Sequence, residues 1–291
     1  MSFSNIYQEK KEVFEAQLKS ILGNLKNVPE LLLKAMEYSL ITSGGKRIRP
    51  IMFLEMYRCF KGEPTDSIYK FAAAIECVHT YSLIHDDLPC MDNDDFRRGR
   101  PTNHKMFGEG VAVLAGDALL NLAYEFIFEL AQEASDEEKA LFLKAGAYFS
   151  KSMGCRGLIA GQVVDIKVSD SVTGDMLKYI FRHKTGDLII GACVTGSILG
   201  EATREEIETV IQFADYFSYA FQIRDDLLDH KEKGKDDSGT SFVKVYGKTR
   251  ATQTLGDSTQ KAQNALDSLE KSGKNIEFFK KMTIKFATRK D

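Results

Sequence analysis

The chain has 291 residues, 43% hydrophobic and 28% charged, with 39 basic against 42 acidic side chains and a net charge of -3. These proportions belong to a globular protein and exclude a disordered or fibrous one, and the near balance of charge gives no basic footprint for nucleic acid. Five scattered cysteines (Cys59, Cys77, Cys90, Cys155, Cys193) form no CxxC pair, which argues against a zinc site and fits a reduced, cytoplasmic protein.

Along the chain, the first eighteen residues are polar and charged, unlike the apolar core of a signal peptide. The five prolines all fall between Pro29 and Pro101, so the rest of the chain is open to long helices. Pro50 opens a predicted helix to Phe60 with broad apolar stripes (Ile51 and Leu54; Phe53, Met56, Tyr57 and Phe60). Residues 66–87 place Phe71, Ile75, Val78 and Ser82 at helical steps, and 88–104 read as loop. Residues 110–134 are apolar nearly all round, which predicts a central, buried helix. Helices are further expected over 136–154, 175–200, 204–229 and 257–273, and 230–241 reads as a flexible surface loop. Strand signals are weak throughout. No uninterrupted apolar run approaches twenty residues, so no membrane span is expected; 188–200 is too short and reads as a buried helix rich in small residues. With no repeat and no linker, the expectation is one all-α domain over 1–291, a bundle of long, mostly antiparallel helices around a deep central cavity.

Three constellations carry chemistry. Between Asp86 and Asp95 stand five aspartates, followed at once by Arg97, Arg98 and Arg100. Dense carboxylates repel unless cations neutralise them, and hard oxygen ligands favour Mg²⁺ or Ca²⁺. Pro89 disfavours helix at Leu88, so the chain can curl until Asp86 and Asp92 converge; a solvated acidic loop is the plainer alternative. In the second, Asp225 and Asp229 share a helix face at the end of an aromatic-rich segment, Phe213 to Phe221, and ordinary solvation of a helix end would also account for them. In the third, Gly44-Gly45-Lys46-Arg47-Ile48-Arg49-Pro50 sets three cations in a glycine-rich loop before a helix N-terminus, as an anion site or a basic surface loop; it lacks P-loop spacing. His79, seven residues before Asp86, is a core residue or a ligand, and Lys184 a snorkelling or a phosphate-binding lysine. Polyanion sites at the ends of apolar helices call for a diphosphate with a hydrocarbon tail.

As a set and in this order, GGKRIRP, HTYSLIHDDLPCMDNDDFRRGRPTNH, GQ at 161–162, KT at 184–185 and FQIRDDLLD resemble the bacterial short-chain trans-prenyl diphosphate synthases, the farnesyl type above all. The resemblance runs continuously over 1–230. It implies an isoprenoid synthase fold and a magnesium-dependent condensation of isopentenyl diphosphate with dimethylallyl or geranyl diphosphate to farnesyl diphosphate, in a cytoplasmic homodimer. It implies Asp86, Asp92 and Asp225 as Mg²⁺ ligands, and Arg97 and Lys184 as ligands of the allylic diphosphate. Lys46, Arg49, His79 and Arg98 would form the isopentenyl diphosphate pocket, with Phe221 bordering its tail. Thr185 and Gln222 would face the allylic cation. Tyr81, five residues before Asp86 and about 7.5 Å along a helix, would be the floor that limits the product to C15, and the small Ser82 would allow some leakage to longer chains.

After Asp229 the sequence departs from that pattern. The loop is short, and Gly239 falls where a lysine is expected, with Lys231, Lys233 or Lys235 as possible stand-ins. A longer-chain (geranylgeranyl) synthase and a non-catalytic regulatory subunit are therefore carried as alternatives. An HD-type phosphohydrolase would use His85-Asp86 but leaves the second aspartate motif unexplained. A class I terpene cyclase would not need the second basic pocket.

Overall fold

The computed structural model describes residues 2–41, 44–167, 172–233 and 240–290. Among them the only strands are a two-residue antiparallel hairpin, so the all-α expectation holds. The chain divides into two compact units: Met1–Leu54 with Glu63–Gly146, and Glu55–Gly62 with Ala147–Asp291.

In the first unit α1 (Phe3–Gly23) is started by the Ser2 hydroxyl, which accepts the Asn5 N–H, as an N-cap should. Then come α2 (Glu30–Leu40), α3 (Ile48–Phe60, running on into the second unit) and α4 (Asp66–Asp86). Strands β1 (Phe96–Arg97) and β2 (Arg100–Pro101) precede α5 (Asn103–Phe107) and α6 (Glu109–Glu133). Helix α4 is the hub on which α1, α2 and α6 pack. Its run Ala72-Ala73-Ala74 is wholly buried, and Phe71 stacks on Phe53 with centroids 5.2 Å apart; each such aromatic contributes roughly 1.5–3 kcal/mol by leaving water.

From α7 (Asp136–Met153), which leads out of the first unit, the chain continues through α8 (Leu158–Lys167), α9 (Gly174–Ile180), a π-helical turn (Phe181–Gly186), α10 (Asp187–Leu199), α11 (Arg204–Lys233), α12 (Phe242–Lys271) and α13 (Glu277–Thr288). In this second unit α11 packs on α10, α12, α13 and the π turn. Phe213 meets Phe217 and Phe279 at its centre, and every residue of α10 is buried.

Several expectations need correction. Residues 175–200 are not one helix, because the π turn interrupts them. Helix α11 runs on to Lys233, into the segment read as loop, and α12 starts at Phe242 rather than 257, bending at Gly247 (φ 78°). Pro50 lies within the first turn of α3 but does not open it. Helix α6 is not wholly buried. By length and composition it could cross a membrane, yet 44% of its most apolar stretch is buried, it packs on α2, α4 and α5, and it exposes Val113, Leu114 and Phe128.

Candidate active site

In the first unit the acidic motif closes as a turn at the end of α4. The helix stops at Asp86, and the Asp92 N–H then donates to the Asp86 carbonyl at 2.9 Å while those of Met91 and Asn93 donate to Leu88. Pro89 therefore does what the sequence required, setting Asp86 and Asp92 side by side. Among the described residues no three or more His, Cys, Asp or Glu side chains converge as a metal cage. That suits Mg²⁺, which is held by one or two carboxylates plus substrate phosphates rather than by an all-protein cage.

Beside this turn, β1 and β2 are joined by Arg98 (φ 53°) and Gly99 (φ 74°), a two-residue turn with both φ positive, as tight hairpins require. The hairpin aims Arg97 back at α4, where it donates to both oxygens of buried Asp87 at 2.6 and 2.8 Å. Burial opposes the Arg97 charge, but Asp87 outweighs it and holds the guanidinium pKa above its ordinary value. Burial in turn pushes the Asp87 carboxyl up, against the pull of Arg97.

Helix α4 presents His79, Ser82 and Asp86 on one face and Tyr81 and His85 on the next, as steps of three and four dictate. Arg49 Nη1 approaches His79 Nε2 at 3.2 Å. Burial, followed by the charges of Arg49, Arg98, Arg47 and Arg97, holds the imidazole well below its usual pKa. His79 is thus neutral and accepts from Arg49. Ser82 donates to the His79 carbonyl at 2.8 Å, and Arg98 reaches across Gly45. Tyr81 is buried, meets His85 edge-on, and its hydroxyl has no hydrogen-bond partner.

The His79 environment predicts a pH effect. Its folded pKa lies below the unfolded value near 6.5, so the unfolded chain binds more protons as pH falls, and stability present above about pH 6.5 is lost below it. Between pH 7.5 and 5.0 the parent should lose about 2 kcal/mol more than His79→Gln in urea unfolding; equal losses would mean that His79 is protonated in the fold.

The second unit assembles the other predicted residues. The π turn places Lys184 Nζ on Asp165 of α8 at 2.6 Å. Gly161 explains itself here, because a side chain at that position would strike the backbone of His183 and Lys184. Thr185 donates to Gln222 at 3.1 Å, Gln222 to Asp226 at 3.2 Å, and the Phe242 N–H to Asp226 at 2.6 Å. Burial lifts the Asp226 carboxyl to about 6, opposed by the Phe242 and Gln222 donors. Asp225 is paired with Arg289, whose guanidinium stacks 4.3 Å over Phe221. Gly239 and Lys235 lie outside the described residues, as do the side chains of Lys231 and Lys233, so the expected lysine is not located.

Sequence reasoning missed Asp87, Asp165, Asp226 and Arg289. Asp165 carries a faint signal, three residues after Gln162 and so on one face of α8 with it; Arg289 carries none.

This arrangement has counterparts. The polyprenyl synthetase family model matches residues 29–272. The chain is 42% identical over 230 residues to a farnesyl diphosphate synthase of Geobacillus stearothermophilus, covering 79% of this chain and 76% of that one. It is 41% identical over 254 residues to a chloroplastic geranylgeranyl pyrophosphate synthase of Capsicum annuum, covering 83% and 68%. Among solved structures it superposes on a geranyltransferase from Legionella pneumophila with TM-score 0.88, 28% identity and coverage of 99% and 97%. It superposes on an FPP/GFPP synthase from Zymomonas mobilis with TM-score 0.85, 28% identity and coverage of 97% and 99%. The helical fold, the closed Asp86–Asp92 turn and a family match spanning most of the sequence agree: the chain belongs to the polyprenyl synthetase family of prenyltransferases.

Proposed function

We propose that the chain condenses isopentenyl diphosphate with dimethylallyl and then geranyl diphosphate to give farnesyl diphosphate. The observation that carries this reading is the turn that closes Asp86 against Asp92, a donor set that is incomplete until diphosphate oxygens join it. Asp86, Asp92 and Asp225 would hold Mg²⁺, which supplies positive charge against the departing diphosphate. Arg97 and Lys184, each pre-oriented on a carboxylate, would bind that diphosphate and stabilise the charge that builds on it. Thr185 and Gln222, fixed by their mutual bond, would turn oxygen dipoles toward the allylic cation left behind. Lys46, Arg49 and Arg98 would bind the diphosphate of isopentenyl diphosphate, with neutral His79 orienting Arg49. Attack by the isopentenyl double bond and loss of a proton then complete the chain, with the released diphosphate as the base. Phe221 would shield the isopentenyl tail from water.

The family match spans parts of both compact units, which supports a single catalytic domain over 1–291. The exposed apolar residues of α6 support a homodimer, and free cysteines in the described residues support a reduced, cytoplasmic setting. Purified protein with Mg²⁺, isopentenyl diphosphate and either primer should yield a C15 product by chromatography of the dephosphorylated prenols. A C20 product would establish the longer-chain reading, which the similarity to the Capsicum enzyme favours. No condensation with either primer would sink both.

A further inference from the structure

Arg47 lies in the basic loop yet turns away from solvent. Its side chain is 0% exposed, and its backbone adopts φ 53°, a left-handed conformation uncommon for a residue with a side chain. What it gains inside is two carboxylates: Nη1 donates to Glu76 of α4 at 2.5 Å and Nε to Glu15 of α1 at 3.1 Å. Glu76 is itself 1% exposed, and its second oxygen is buried with no partner. A buried ion pair recovers its desolvation cost poorly, and an unsatisfied carboxylate oxygen adds to that cost. Stability alone is a weak reason for this arrangement.

Its geometric consequence is specific. Arg47 stands next to Lys46 and two residues before Arg49, and Glu76 stands three residues before His79 on α4. Anchoring Arg47 to Glu76 therefore sets the loop in register with the helix, and Arg49 arrives within 3.2 Å of His79. Helix α1 completes the hold: Glu15 takes the second arm of Arg47, and the Tyr7 hydroxyl donates to the Lys46 carbonyl at 2.7 Å. Both come from a helix that precedes the span matched by the family model, which begins at residue 29.

We propose that Arg47, Glu76, Glu15 and Tyr7 form a clasp that positions Lys46 and Arg49 to bind the diphosphate of isopentenyl diphosphate. Arg47 acts as a positioning residue and does not touch the substrate, and α1 is a working part of that pocket. This rests on the condensation proposed above.

The test is steady-state kinetics of Glu15→Gln and Tyr7→Phe, with isopentenyl and geranyl diphosphate varied separately, and of Arg47→Lys where it folds. A loss of positioned binding that leaves the chemical step alone appears in one KM. The KM for isopentenyl diphosphate should rise about 5- to 20-fold in the two mild variants and more in Arg47→Lys, while kcat and the KM for geranyl diphosphate stay within about 2-fold. Both KM values moving together, or a changed melting temperature with neither KM moved, overturns the clasp. Should the parent catalyse no condensation, the proposed function fails instead. The clasp is then read by titrating inorganic pyrophosphate in EDTA into parent and variants, where equal affinities overturn it and weaker binding in the variants upholds it.

Discussion

Asp86→Ala is expected to lower kcat by about 10²–10³ while leaving the melting temperature within about 3 °C of the parent. The two halves of that result come from one position. Asp86 is the last residue of α4, where the helix dipole is negative and a carboxylate is unfavourable by about 0.3–1 kcal/mol. Removing it relieves the fold slightly but deletes half of the paired donor set closed by the Asp92–Asp86 bond. Its neighbour is the control. Asp87 is 4% exposed at the side chain and grips Arg97, so Asp87→Ala should cost about 2 kcal/mol or more in stability, because it leaves a partly buried guanidinium uncompensated. Activity assays beside thermal melts separate the two variants. If Asp86→Ala melts like Asp87→Ala, the Asp86 carboxylate is structural and its assignment to the metal is wrong.

Tyr81→Ala is expected to shift the main product from C15 to C20 or longer while condensation continues. Tyr81 is buried on the face of α4 next to the one that carries Asp86, edge-on to His85. Its hydroxyl is poorly served: burial pushes its pKa up to about 12, and no hydrogen-bond partner reaches it. A buried unpaired hydroxyl costs about 1–3 kcal/mol, so the residue is explained by the bulk of its ring. Tyr81→Phe should accordingly keep the C15 product and gain about 1 kcal/mol in stability. Product chromatography of the three proteins decides the matter. An unchanged C15 product from Tyr81→Ala would mean that chain length is set elsewhere.

What could be read in the sequence was what local chemistry controls. Pro89 forces the break that closes the Asp86–Asp92 turn, and the apolar steps of 66–87 describe α4 almost to the residue. The paired donors Thr185 and Gln222 were named through resemblance, 37 positions apart in sequence; their hydrogen bond is a product of tertiary structure. The π turn escaped because apolar residues continue on both sides of Lys184 and no proline or early glycine marks the change of pitch. The first half of α12 escaped because 242–256 is largely polar and bends at Gly247. Arg47 read as a third solvent-facing cation, because nothing local reveals that Glu15, 32 residues earlier, and Glu76, 29 later, enclose it. Arg289 is 64 residues from Asp225, and no spacing rule joins them.

The π turn makes this stretch of the chain sensitive to its own length. A turn of this kind is a local excess of backbone between two α-helical segments, so removing one residue between Phe181 and Gly186 offers the chain an unbroken α-helix. Each residue advances a helix by about 100°, and the repaired helix would carry α10 round by that angle relative to α9. Every residue of α10 is buried, so a rotation would dislodge a whole packed layer. Point substitutions near Lys184 should be far better tolerated than single-residue deletions, and a deletion scan would register the turn as a sharp minimum in folded yield.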